Sequence, residues 1–236
     1  MTHHFGVLIP STNTTVEAEL ARLPAGYQAH YARLLTTTPG QPFAPSRDED
    51  IDYQSRLLGT AKVEMIILIQ TSASLFADDY DETTARRMSA AAGGVPAITS
   101  AQSVGRALRA LGARRIALVS PYSEAVNARA RHYFSAGYGL EIAALDGFAA
   151  TDSYSIGKLD PEMARAAFAR IDQAGIDAFV VPGANFPAMA SIAGWEREFG
   201  KPVVTSTQAA VWAMARRLGG ERIPGFGRLL EQLPAG

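Results

Sequence analysis

Four apolar runs in this chain end in small polar residues of the kind that hold an anion. "MIILI" stops in Gln70, Thr71 and Ser72, "GVLI" in Pro10, Ser11, Thr12 and Asn13, and "AFVV" in Pro182, Gly183, Ala184 and Asn185. The fourth, "ALVS", delivers Pro121, Tyr122 and Ser123. Hydroxyls, amides and backbone N–H groups at a helix start bind carboxylates through fixed partial positive charge, without a Lys or Arg. The same residue types also serve as caps and turn formers. Ser11, Thr12 and Asn13 can cap a helix opening near Thr14, and Ser123 can cap one opening at Glu124. An anion cradle rises above capping because the pattern recurs in pairs.

The elements that position these residues follow from periodicity. Short runs rich in Val, Ile and Leu alternate with longer Ala- and Arg-rich stretches at helical spacing, the rhythm of a parallel sheet. The runs predict strands over residues 5–9, 28–34, 65–69, 97–99, 116–119, 140–145, 179–181 and 203–205, with helices between them, for example 14–22, 101–111, 124–135, 161–174 and 208–218. The chain also repeats itself at an interval of about 110 residues. "PAITSAQSVGRALRALG" matches "PVVTSTQAAVWAMARRLG", "VLIPSTNTTVE" matches "ALVSPYSEAVN", and "MIILIQTSAS" matches "AFVVPGANFP". That interval is too long for a solenoid and implies a duplicated four-stranded α/β unit. The expected domains are residues 1–100 with 207–236, the last helix packing back on the first half, and residues 101–206. Ligands of open parallel sheets gather at the carboxyl ends of the strands, so the two units would share one cleft.

Composition narrows the function. The chain has 236 residues, 47% hydrophobic, and a net charge of −1 from 22 basic and 23 acidic side chains. No field of that size holds nucleic acid or an anionic membrane. The longest apolar run is far short of the ~20 residues of a membrane span, and the start has no basic leader segment, so a cytoplasmic protein is expected. Zero cysteines remove disulfides, thiolate metal sites and thiol nucleophiles.

Other candidates carry less. His3 and His4 precede the first expected strand, at the end of the sheet opposite the cleft, and read as a mobile terminus. His30 falls in a strand and His132 in a helix, so no His–carboxylate metal cluster assembles. Asp78, Asp79 and Asp81 read as the solvated first turn of a helix, or else as a loop carboxylate able to act over the cleft. "AAGGVPA" precedes a strand and is no phosphate loop.

The stretches "GVLIPSTNTTVE", "QTSAS", "SPYSEAVN", "PGANFP", "GKPVVTSTQAAVWAMAR" and "PGFGRLL" together resemble the maleate isomerase and arylmalonate decarboxylase branch of the aspartate/glutamate racemase superfamily, from Phe5 to about Leu230. The resemblance implies two pseudosymmetric, flavodoxin-like α/β domains with the site between them. It implies action on a small carboxylic or dicarboxylic acid through an enediolate-like species, with no cofactor and no metal. Carried over, it makes Ser11, Asn13, Thr71, Ser72 and Ser153 substrate-binding residues, together with the Gly183, Ala184 and Asn185 loop. Tyr122 and Gln70 become the candidates for chemistry. A homo-oligomer is compatible with it.

The departure lies at two positions. Isomerase and racemase members carry one cysteine before the Thr-Ser pair and another opening the "GAN" loop, where this chain has Gln70 and Gly183. Two-base racemisation and thiol addition both need what is absent. Decarboxylation asks only for an oxyanion hole and a proton donor, and Tyr122 is the nearest matched donor. A hydrolase or another lyase on the same scaffold, with Gln70 positioning water, and a non-catalytic carboxylate binder are the alternatives.

Overall fold

A computed structural model describes residues 2–36 and 43–233. In chain order the first half runs β1 (His3–Pro10), α1 (Val16–Leu20), β2 (Tyr27–Leu34), α2 (Asp48–Thr60), β3 (Met65–Leu68), α3 (Tyr80–Ala91), β4 (Ala97–Thr99) and α4 (Ser100–Ala110). The second half runs β5 (Arg115–Ser120), α5 (Glu124–Tyr138), β6 (Glu141–Gly147), α6 (Ser153–Ile156), α7 (Pro161–Ile171), β7 (Ala178–Val181), α8 (Ile192–Phe199), β8 (Val203–Thr205) and α9 (Ser206–Leu218), and closes with α10 (Arg228–Glu231).

The strands form two four-stranded, all-parallel sheets, ordered β2-β1-β3-β4 and β6-β5-β7-β8. The duplication read from the sequence is therefore the architecture. β3 and β7 lie inside their sheets and every residue of both is buried, which is why they read as unbroken apolar runs. Register sets the cleft. Gly6 pairs with Ile66 and Leu8 with Leu68, so the chain leaves β1 and β3 side by side, and Ile116 pairing with Ala178 does the same for β5 and β7.

α4 and α9 bring the halves together. Each starts with a Thr-Ser pair whose threonine hydroxyl caps the helix, Thr99 accepting from the Gln102 N–H at 3.1 Å and Thr205 from the Gln208 N–H at 3.3 Å. α4 touches β4, β8, α5 and α9, while α9 touches α4, α10, β8 and β3. The "PGFGRLL" ending closes over α8 and α9. Glu196 accepts the Arg228 N–H at 2.8 Å, Gln208 donates to the Phe226 carbonyl at 2.6 Å, and Gly227 has φ +88 where a Cβ would strike Ile192.

The structure corrects several expectations. His3 and His4 belong to β1; His3 pairs with Glu64 at 3.2 Å and His4 with His30 at 2.9 Å, because β1 begins two residues earlier than its apolar run. They do lie at the end away from the cleft. Asp81 is not solvated: it is 7% exposed and accepts hydroxyls from Thr99 at 2.6 Å and from Tyr133. Asp78 stays exposed and pairs with His132 at 3.0 Å. α1 is shorter than its pattern suggests, and α7 stops at Ile171. No helix among the described residues is long and apolar enough to cross a membrane.

Candidate active site

The carboxyl ends of β1, β3, β5 and β7 meet at one cavity lined by Pro10, Asn13, Phe43, Ile69, Gln70, Thr71, Ser72, Tyr122, Ser153, Ile156, Gly183, Ala184 and Asn185. No charged side chain among the described residues lines it. Its free volume is about 30 Å³, enough for a water molecule.

Of the residues expected there, Asn13, Gln70, Thr71, Ser72, Tyr122, Ser153, Gly183, Ala184 and Asn185 are brought together. Ser11 is not. Its hydroxyl is turned to Thr36, 3.4 Å from the Thr36 hydroxyl and accepting the Thr36 N–H at 3.3 Å. Phe43 and Ile156 line the cavity without having been singled out in the sequence. Phe43 packs edge-on against Tyr122 with ring centroids 5.3 Å apart. Phe43 comes from the segment after β2 and Ile156 from α6, and neither apolar side chain carries a ligand signal of its own.

Two pairs of backbone donors occupy equivalent places in the two halves. The N–H groups of Thr71 and Ser72 after β3, and of Ala184 and Asn185 after β7, have no acceptor among the described residues. Buried amides left without partners are costly, so such groups are held for a ligand or water. Between the pairs runs a chain of hydroxyls. Ser100 and Thr71 lie 2.8 Å apart, Thr71 donates to Ser206 at 2.8 Å, and Ser206 accepts the Gly183 N–H at 3.1 Å. Ser100 and Ser206 are the matching serines of the two Thr-Ser motifs, so Thr71 sits between the halves.

Other polar side chains close the site. The Asn13 carbonyl oxygen accepts the N–H groups of Thr15 and Val16 at 3.0 and 2.9 Å, which caps α1. Asn185 accepts the Thr14 N–H at 2.8 Å and donates to the Ser153 carbonyl at 2.6 Å, tying the β1 and α6 segments together. Gln70 donates to the Ala44 carbonyl at 3.1 Å and accepts from the Ser46 hydroxyl at 3.1 Å. Both ends of that amide are therefore engaged by the segment following β2.

Gly183 has φ +101, and a Cβ there would come 2.8 Å from the Pro121 ring and 3.2 Å from the Tyr122 hydroxyl. The phenol thus occupies the space beside the position that the resemblance matches to a family cysteine. Tyr122 is 3% exposed, and burial pushes its hydroxyl well above the ordinary tyrosine value, so it is protonated at neutral pH. Behind the loop, Glu19 accepts the N–H groups of Ala188 and Met189, both at 2.8 Å. Its second oxygen is buried with no hydrogen-bond partner at full bonding geometry among the described residues, and desolvation raises this carboxyl above its usual range despite the Thr207 hydroxyl and the two N–H groups, which favour the charged form.

No group of three or more His, Cys, Asp or Glu that could hold a metal ion occurs among the described residues.

The geometry has counterparts. Maleate isomerase of Nocardia farcinica is 28% identical over 239 residues, covering 96% of this chain and 95% of that protein. Arylmalonate decarboxylase of Bordetella bronchiseptica is 27% identical over 238 residues, covering 96% of each. A cysteine-to-serine variant of the N. farcinica maleate cis-trans isomerase, solved with a covalently bound succinylcysteine intermediate, superposes with a TM-score of 0.89 at 26% identity over 98% of this chain and 99% of that one. A family model described as arylmalonate decarboxylase matches residues 5–230. The chain belongs to the arylmalonate decarboxylase family.

Proposed function

We propose that this protein is a cofactor-independent enzyme that decarboxylates a small malonate-type diacid through an enediolate, with Tyr122 as the proton donor. The observation that carries the reading is the pair of unpartnered amide sets, Thr71 with Ser72 and Ala184 with Asn185, lining one uncharged cavity beside a protonated phenol. One set holds the carboxylate that stays. The other carboxylate sits against Phe43, Ile69 and Ile156, where poor solvation favours its loss as CO₂.

The C–C bond breaks heterolytically. Its electron pair passes to the α-carbon and into the remaining carboxylate, and amide donors stabilise the resulting enediolate at about 3–4 kcal/mol each. Tyr122 then gives its proton to the α-carbon, and the phenolate recovers one from water. Asn13 and Ser153 supply further polar contacts, and Gly183 leaves room for the phenol. Thiol addition, the chemistry trapped in the succinylcysteine structure of the Nocardia relative, has no nucleophile in a chain without cysteine. Water positioning by Gln70 is disfavoured because both ends of its amide are engaged.

The test is proton NMR in D₂O with phenylmalonate, methylmalonate and maleate. Loss of CO₂ with one deuterium entering the α-carbon is expected, and maleate should stay unisomerised. Fumarate formation would overturn the reading, and binding without turnover would make the protein a carboxylate binder.

A further inference from the structure

A second cavity lies at the far end of the two helices that frame the cleft. α4 and α9 begin at Ser100 and Ser206 beside Thr71, and their later turns, with α3 and β4, enclose a groove of about 1080 Å³. No residue lines both this groove and the cleft. Its floor is apolar, made by Met65, Ala97, Ile98 and Trp212. Its rim is cationic: Arg86 from α3, Arg106 and Arg109 from α4, and Arg216 and Arg217 from α9. No Asp or Glu lines it, and the arginines in ion pairs among the described residues are all others.

Local roles account for only part of this rim. Arg109 donates to the Gly137 and Tyr138 carbonyls at the end of α5, and Arg216 lies over the Trp212 ring at 5.1 Å. A helix C-terminus favours a cation, which suits Arg109, Arg216 and Arg217. It does not bring Arg106 and Arg86 to the same groove. Arg106 and Arg217 have no hydrogen-bond partner among the described residues, and all five side chains are exposed. Asp78, Asp81 and Glu82 share a neighbouring cavity with Arg106 and Arg109, but none of them lines the groove, where five guanidiniums around one apolar floor attract an anion.

We propose that this groove binds a small organic anion with a flat apolar body and at least two negative charges. The floor takes the body, with the Trp212 and Arg216 stack at one wall. The guanidiniums take carboxylate, sulfonate or phosphate oxygens through paired N–H donors. The volume is at the upper end for small-ligand clefts. A second copy of the chain is a poor occupant, since a two-fold contact through the groove would set one cluster of guanidiniums against its equal.

A naphthalene disulfonate is a suitable probe, titrated into the full chain by calorimetry and by Trp212 fluorescence. We expect saturable binding that weakens as salt is raised. It should weaken about tenfold or more in Arg106→Gln with Arg217→Gln, a pair of exposed substitutions that leave the melting temperature in place. Malonate at millimolar concentration should not displace the probe. Absence of binding by the native chain, equal binding by the double variant, or displacement by malonate would each overturn the proposal. So would light scattering that shows a dimer dissociating in that variant, which would make a second copy the occupant.

Discussion

The loops that end β3 and β7 are built alike, yet they differ at the position where thiol-bearing relatives carry cysteine. On the first, Gln70 is large, buried and fastened at both ends of its amide to the Ala44–Ser46 segment. On the second, Gly183 has no side chain, and the Tyr122 phenol stands in the adjoining space. One position is a fastening and the other leaves room for a phenol. Two equivalent positions therefore do not have equivalent roles, and substitutions at each separate them.

The largest effect is expected at Tyr122. Tyr122→Phe should lower turnover by roughly 10²–10⁴-fold, the loss of the general acid. NMR assay of a variant with unchanged melting temperature checks this; near-native turnover would return the proton donation to water. Gly183→Cys comes next. The positive φ and the Pro121 ring make it cost on the order of 1–3 kcal/mol, read by denaturant titration. Thiol activity would therefore require Pro121 to move. A fully stable, reactive variant would show that this backbone is not fixed.

Gln70→Leu should cost about 1–3 kcal/mol by leaving the Ser46 hydroxyl and the Ala44 carbonyl unpaired, while changing KM more than kcat. A fall in kcat matching that of Tyr122→Phe would instead put Gln70 in the chemistry. Ligand binding offers a milder probe of both loops together. Malonate at ~100 Kd should stabilise the fold by about 2.7 kcal/mol, and no shift in melting with any dicarboxylate would remove the cradle.

The smallest effect belongs to Glu19, behind the Gly183 loop. Its carboxyl is raised in the fold, so its contribution is fully present below the unfolded value and is lost as pH rises through the folded one. Against Glu19→Gln, the native chain should therefore lose relative stability on going from acid to neutral pH. Parallel denaturation curves over that range would show that the Ala188 and Met189 N–H bonds hold the carboxylate ionised after all.

Much of this was legible in the residues. The buried strands β3 and β7 announce themselves as apolar runs stopping in polar ones, and the repeated Thr-Ser motif predicts two sheets sharing a cleft. What escaped depends on partners distant in sequence. "DDYDE" looks solvated because nothing local shows that Thr99 and Tyr133, 18 and 52 residues away, bring their hydroxyls to Asp81. Ser11 looks like a cradle residue until β2 places Thr36 beside it. Asn185 reads as a contact through its backbone N–H, and nothing local shows that its side chain also spans to Thr14 and Ser153. The five arginines of the groove are spread from residue 86 to residue 217 and form no motif.

The hydroxyl chain through Thr71 carries a consequence for stereochemistry. A threonine hydroxyl has one proton, and here it goes to Ser206, which also accepts from Gly183, so Ser100 must be the donor on the other side. Two donations then run the same way across an axis that relates two similar halves. With Gln70 on one loop and Gly183 on the other, the two faces of a planar enediolate held there meet different neighbours. With Tyr122 on one side only, we expect a prochiral malonate to yield predominantly one enantiomer, and chiral chromatography of the product would show a racemate if that asymmetry did not reach the substrate.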